Sequence, residues 1–405
     1  MADLFLERWK DLDSHELRII LDRHVGGPGQ YHGRTEQPNR FYLPLAGDAC
    51  RLVLTFREKA IANIEPGPAF DADQWRTISE DLDGSLKPGP LVFGREYSFS
   101  SFRVPGSWSG TRSRVQILPP PDEAPRANQE VADHPFILEF PIKGSDFWPL
   151  INYRRMREHR NITLVLNVLL AGHTSALPRQ LRHFWASAVN PAGEFESRWV
   201  QEAFFANLGD VVRNEPTPIT GPTLPEVEAA RYLEDVGHDG RGLRVPTDLD
   251  ESIQAYSNLL DSNRIKFDRA AFWLEMASRQ WTVSFSISFA ALVSAVESLT
   301  TRGAIHRLQC EQCAAERPHE QPGATEAFRA LFEEYAPGAA LRKRRSEMYA
   351  LRSGILHGSD LMEFDRNRDF GWDPPWSNQR ELHSELWSIT GLAIRNWLKN
   401  PPAVP

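Results

Sequence analysis

Cysteine is nearly absent, with three among 405 residues. So low a count excludes a disulfide-framed secreted domain and fits a reducing, cytoplasmic home. An excess of positive charge is also lacking. The formal net charge of −8 excludes an unselective nucleic-acid coat, so any contact with RNA must come from a local basic patch. Long apolar runs are missing as well. Ile162 to Ala171 (ITLVLNVLLA) is too short to cross a bilayer, and no membrane partner is expected. Met1 to Lys10 carries charges throughout, so no signal peptide is expected. Finally, the chain has no Walker loop, no Gly-x-Gly-x-x-Gly after a strand, no Gly-x-Ser-x-Gly elbow and no His-Glu-x-x-His. The enzymes built on those motifs are thereby set aside.

What is present is the material of a large core. Apolar residues make up 41% and charged residues 25%, with 12 Trp and 22 Phe, and the length suits two domains. The first half reads as strands. RLVLTFREKAIANIEPG gives two apolar segments, Leu52 to Phe56 and Ala60 to Ile64, split by a charged turn, as a hairpin requires. GREYSFSSFRVPGSWSG alternates aromatic and polar residues at period two, and HPFILEFPI and ITLVLNVLLAG follow as apolar strands. The aromatics Trp75, Phe93, Tyr97, Phe99, Phe102 and Trp108 are expected in the core of a sandwich.

Between 214 and 249 the composition turns to Pro, Gly, Asp and Glu, which predicts a linker. Beyond it apolar residues recur at three- and four-residue spacing. They predict helices over 250–260, 264–280, 285–301, 325–335, 341–356 and 378–398, with a cysteine-bearing insertion at 305–323. The expected fold class is α+β and multidomain. A β-rich, sandwich-like N-terminal domain (1–213) with a sensing or regulatory role precedes a linker (214–249) and an all-α helical bundle (250–405).

Within that bundle YALRSGILHGSD places Arg352 five positions before His357, between two glycines. RNA can be cut without a metal when one group takes the proton of the 2′-hydroxyl, another protonates the departing 5′-oxygen, and a cation stabilises the phosphorane. Histidine suits the proton work and arginine the phosphate. Arg followed by His after four to six residues is common in this chain, recurring at Arg8/His15, Arg18/His24, Arg154/His159 and Arg231/His238. Context singles out Arg352 and His357, which lie on a predicted helix of the helical half. The same letters also make an ordinary helix end, with a basic residue in the last turn and Gly at C′. Five residues on an ideal helix rotate by about 140°, so the pair does not share one face. Gly354, inside the predicted helix, points to a close backbone approach.

FAALVSAVESLT (Phe289 to Thr300) and FRALFEEYAPGAALRKRRSEMYALRSGILHG (Phe328 to Gly358), with a tyrosine one turn ahead of an Arg-x4-His motif, resemble the HEPN domains. The likeness is to the ApeA-like branch found in bacterial antiphage defence proteins, and it covers residues 250 to 400. It implies a metal-independent endoribonuclease that cuts RNA, with tRNA among its candidate substrates, as a homodimer whose motif helices face one another, in antiviral defence by abortive infection. No cofactor is then required for catalysis. Carried to matching positions, Arg352 binds the scissile phosphate and His357 is the general acid/base. Tyr349, Glu297 and Ser353 are accessory, with Glu297 available to pair with Arg352 and Ser353 standing where the family carries Asn, Asp or His. A phage-derived or nucleotide trigger is left open by the resemblance. The rival is a non-catalytic dimerisation module that binds nucleic acid or a partner.

Two clusters accompany the motif. Arg342, Lys343, Arg344 and Arg345 are candidates for RNA phosphate contacts, although four consecutive residues point all around a helix, so at most two can face RNA. His306, Cys310, Cys313 and His319 can close a tetrahedral structural zinc site, while the plainer alternative is an interhelical loop with free thiols.

Overall fold

The computed structural model describes residues 9, 12–25, 30–31, 40–45, 47–57, 60–66, 72–121, 134–171, 174–175, 183–189, 194–201, 210–235, 242–300, 304–309, 316–321, 323–337, 342–366 and 374–403. They fall into two compact units, 1–93 with 141–158, and 94–140 with 159–405. The N-terminal half is mixed, with strands and helices, and the C-terminal half is helical.

In the first unit four strands, β1 (Gln30–Tyr31), β2 (Arg40–Leu45), β3 (Gly47–Arg57) and β4 (Ala60–Pro66), form an antiparallel sheet in sequence order. The predicted hairpin is β3 and β4, whose last pair is Arg57 with Ala60. Helices cover this sheet. Leu17, Ile20 and Leu21 of α1 (Ser14–Val25) and Ile78 and Leu82 of α2 (Ala72–Leu86) share one cluster with Leu52, Leu54, Ile61 and Ile64. Burying each such aliphatic side chain stabilises by about 1.5–3 kcal/mol. The layer that faces this four-stranded sheet is thus helical, where a sandwich would place a second sheet.

A second sheet is built from β5 (Leu91–Ser100), β6 (Trp108–Ser109), β7 (Gln116–Leu118), β8 (His134–Lys143), β9 (Thr174–Ser175) and β12 (Val212–Arg213), in the order β12-β5-β8-β7-β6 with β9 on β5. Residues 91–93 and 141–143 of its two central strands are counted in the first unit and the rest of the sheet in the second. Two further strands, β10 (His183–Val189) and β11 (Phe195–Gln201), form a separate hairpin. Tyr97, Phe99, Leu118 and Ile137 cluster with Val211 and Ile219, and Phe93 and Trp108 are buried too, as expected for the period-two aromatics. ITLVLNVLLA, expected as a strand, is a correction. It forms the last turns of a 22-residue helix, α3 (Trp148–Leu169). A short apolar run does not distinguish a strand from a helix end buried on all sides, and residues 162–170 are all buried.

The stretch expected to be a linker is a second correction. Leu224, Tyr232, Leu243 and Val245 are fully buried, Tyr232 lying in the short α4 (Tyr232–Asp235), and β13 (Glu226–Val227) pairs in parallel with β14 (Val245–Pro246). Ser107 N donates to Pro222 O at 2.9 Å, and Leu224 N to Ser107 O at 2.8 Å. A Cβ on Gly106 would meet Pro222 O at 2.7 Å, so only glycine permits this approach. Proline and glycine here shape a packed irregular segment.

The bundle comprises α5 (Leu249–Ser257), α6 (Asp261–Gln280), α7 (Phe285–Leu299), α8 (Ala324–Tyr335), α9 (Arg342–Leu356), α10 (Glu363–Arg366) and α11 (Pro374–Lys399). The six long helices match the predicted spans to within a few residues. Helix α7 is buried almost all round and packs against α6, α8, α9 and α11. Its first turn is tied down by Asp365, which accepts from Ser284 Oγ (2.8 Å), Phe285 N (3.0 Å) and Ser286 N (2.7 Å). The insertion is a hairpin of β15 (Ala304–Gln309) and β16 (Glu316–Gln321).

Candidate functional site

Helix α9 carries the Arg-x4-His motif, and its inner face is set by Met348 and Arg345, both buried. Four positions on from Arg345 and from Met348, Tyr349 and Arg352 come round to the C-terminal end of α7, where Glu297 stands. Arg352 Nη2 donates to Glu297 Oε2 at 2.5 Å, and Tyr349 Oη donates to Glu297 Oε1 at 3.0 Å. Both carboxylate oxygens are therefore engaged. The guanidinium also lies over the Tyr349 ring, 5.6 Å from its centroid, and that ring packs on Phe328 at 5.3 Å. Desolvation, and then the neighbouring Glu297 charge, push the Tyr349 phenol above its ordinary value, so the hydroxyl stays a donor at neutral pH.

Arg352 keeps donors in hand. Its side chain is 20% exposed, and among the described residues its only hydrogen bond is made through Nη2. A guanidinium fixed at one edge retains a second edge for a planar oxyanion.

His357 ends the helix. Its N–H donates to Ser353 O (3.0 Å), Gly358 N donates to Ile355 O (3.1 Å), and Ser359 N donates to Gly354 O (2.9 Å). Gly358 has φ of 72°. The two bonds that span Gly358 and Ser359 make a Schellman motif with Gly358 at C′ and His357 at the C-cap. The helix-end reading of LRSGILHG is therefore realised, and it leaves His357 exposed. Among the described residues the His357 side chain makes no hydrogen bond to Glu297, Tyr349 or Arg352. The close approach expected at Gly354 is the returning chain, since a Cβ there would lie 2.9 Å from Asp360 Cβ. Ser353 is half-buried and contributes its carbonyl to the cap.

The basic run divides. Arg345 is 1% exposed, donates to Ala336 O at 3.0 Å and lies over the Phe332 ring. It is corrected from an RNA contact to a core residue, because its charge is spent inside the bundle. Arg344 Nη1 is paired with Glu385 Oε1 at 2.5 Å. The side chains of Arg342 and Lys343 lie outside the described residues. Of the four zinc candidates, Cys310 and Cys313 lie outside the described residues, while His306 and His319 are directly paired in register across the hairpin.

One buried group escaped the reading of the sequence. His383 of α11 is fully buried, with Nε2 3.0 Å from Ser288 Oγ and the rings of Trp281, Phe285, Phe289 and Trp387 around it. Burial lowers its pKa to about 4. A lone histidine at a helical position gives no periodic signal of such a box. No family model, curated protein or solved structure matches the chain.

Proposed function

We propose that the helical bundle is a metal-independent endoribonuclease of HEPN type, working as a homodimer. One observation carries this reading. Arg352 is clamped by Glu297 and Tyr349 with a guanidinium edge uncommitted, on the helix that ends at an exposed His357. In such a reaction the 2′-oxygen attacks the adjacent phosphorus as its proton passes to one imidazole. The 5′-oxygen leaves with a proton from a second imidazole, so the products are a 2′,3′-cyclic phosphate and a 5′-hydroxyl. Two protomers supply two copies of His357, one for each proton. Arg352 stabilises the equatorial oxygens of the phosphorane, and Glu297 fixes the angle from which it does so.

The pairing of Arg352 and the capping role of His357 also favour a second reading, a bundle that binds RNA or a partner without cutting. The deciding experiment is incubation of labelled tRNA and single-stranded RNA with the protein in EDTA, beside His357→Ala and Arg352→Ala. Cleavage by the wild type and loss in both variants supports the nuclease. Equal inertness of all three, with RNA binding retained, supports the binding module. A role in antiviral defence belongs to the same proposal and rests on the resemblance of the α7 and α9 segments to that family.

A further inference from the structure

The first unit contains a cavity of about 480 Å³, within the usual range for small-molecule sites. It lies between the start of α1, the end of α2, the end of β8 and the first half of α3. Part of the wall is apolar, formed by Leu86, Pro141 and Ile142, and part is cationic, formed by Lys143, Arg154 and Arg157.

The acidic groups there are committed. Glu16 Oε2 accepts two bonds from Arg154, at 3.0 and 2.7 Å, and its Oε1 pairs with Arg157 Nη2 at 2.8 Å. Asp13 Oδ1 accepts from Tyr153 Oη at 2.7 Å and from two backbone N–H groups. Glu158, also on the wall, has a partner of its own. Arg154 is buried, and its Nη1 donates to the carbonyls of Lys143 and Gly144.

Lys143 is different. Among the described residues its half-buried ammonium makes a single hydrogen bond, to Ser85 O at 2.5 Å, where an ammonium has three donors. Burial first, and the Arg154 charge second, hold its pKa below the ordinary lysine value, with Glu16 acting against them. Among the described residues no carboxylate bonds to this partly desolvated cation, which stands beside the Arg154 cation with a single carbonyl as its acceptor.

We infer that this cavity is a binding site for a small organic anion, with its phosphate or carboxylate head on Lys143 and its apolar body against Leu86, Pro141 and Ile142. The head supplies the acceptors that Lys143 lacks and a charge in direct contact with it, and the body takes the space between the helices and the strand end. Every residue involved belongs to the unit of 1–93 and 141–158, so the inference stands apart from the ribonuclease reading.

The test is calorimetric titration of the full chain with phenyl phosphate and with benzoate, beside phenol and inorganic phosphate, each a fragment of the pair. The expected result is saturable binding of at least one aryl anion, about tenfold or more tighter than either fragment. Lys143→Met, which keeps the apolar stem, should weaken it by about tenfold. Leu86→Trp, at a position 38% exposed and able to fill the cavity without disturbing the core, should abolish it. The inference is overturned if neither aryl anion saturates the wild type, if phenol binds as tightly as the anions, or if both variants bind like the wild type.

Discussion

Glu297 and Arg352, 55 positions apart in the chain, meet at 2.5 Å where α7 and α9 end side by side, and Tyr349 Oη takes the second carboxylate oxygen at 3.0 Å. The pair is mostly shielded, with side chains 25% and 20% exposed, so solvent screens it less than a surface bridge. Glu297→Gln keeps the shape and removes the charge. Urea unfolding should show a loss of about 1–2 kcal/mol. If the ribonuclease proposal holds, cleavage should fall through kcat more than through KM, because a mis-aimed Arg352 loses the phosphorane and not the ground-state phosphate. An unchanged rate of cleavage would remove Glu297 from the positioning role.

His383 should make the bundle sensitive to mild acid. Its folded pKa of about 4 lies below the unfolded value of about 6.5, so the unfolded chain binds the proton first. Stability is then full above about pH 6.5 and falls as the pH drops toward 4, by at most about 3 kcal/mol. His383→Gln cannot titrate and should flatten the pH dependence of the melting temperature in that window. Parallel curves for variant and wild type would contradict the assignment.

Asp365 behaves in the same sense as His383 but at lower pH. Its carboxylate is held below the ordinary value by the donors of Ser286, Ser284 and Phe285, which outweigh burial. Its contribution is present above the unfolded pKa and lost as the pH falls through the folded one. Asp365→Ala strips the first turn of α7 and should cost about 1–2 kcal/mol at pH 7 by denaturant unfolding. Hydrogen exchange of Phe285 and Ser286 should rise in the variant. Unchanged protection would show that the cap is dispensable.

The two glycines of the motif should fail for different reasons. Gly358→Ala places a side chain at φ of 72° and should cost about 1 kcal/mol in thermal unfolding. Gly354→Ala sets a Cβ 2.9 Å from Asp360 Cβ, so the return of the chain after His357 must shift, and its cost should exceed that of Gly358→Ala. Equal melting of the two variants would mean that the loop yields freely.

The six long helices were legible in the sequence because each has to bury one stripe of a 3.6-residue period, and α6 shows Phe267, Ala270, Ala271, Leu274 and Ala277 buried in that order. The β3–β4 hairpin was legible because its apolar segments flank a charged turn. ITLVLNVLLA was not, since a run buried on every side carries no period with which to choose helix over strand. Nor was the packing of 214–249, where proline and glycine mark irregular backbone but say nothing of whether it is buried. At the candidate site, LRSGILHG by itself determined the helix end, its glycine cap and the exposed histidine, because capping is a local matter of φ and of unpaired carbonyls. Only the tertiary structure decided that Arg352 meets Glu297, that Arg345 turns into the core and that Lys143 stands over a cavity. Those outcomes depend on which helices and strand ends become neighbours, and side-chain charge is compensated or left over only once they do.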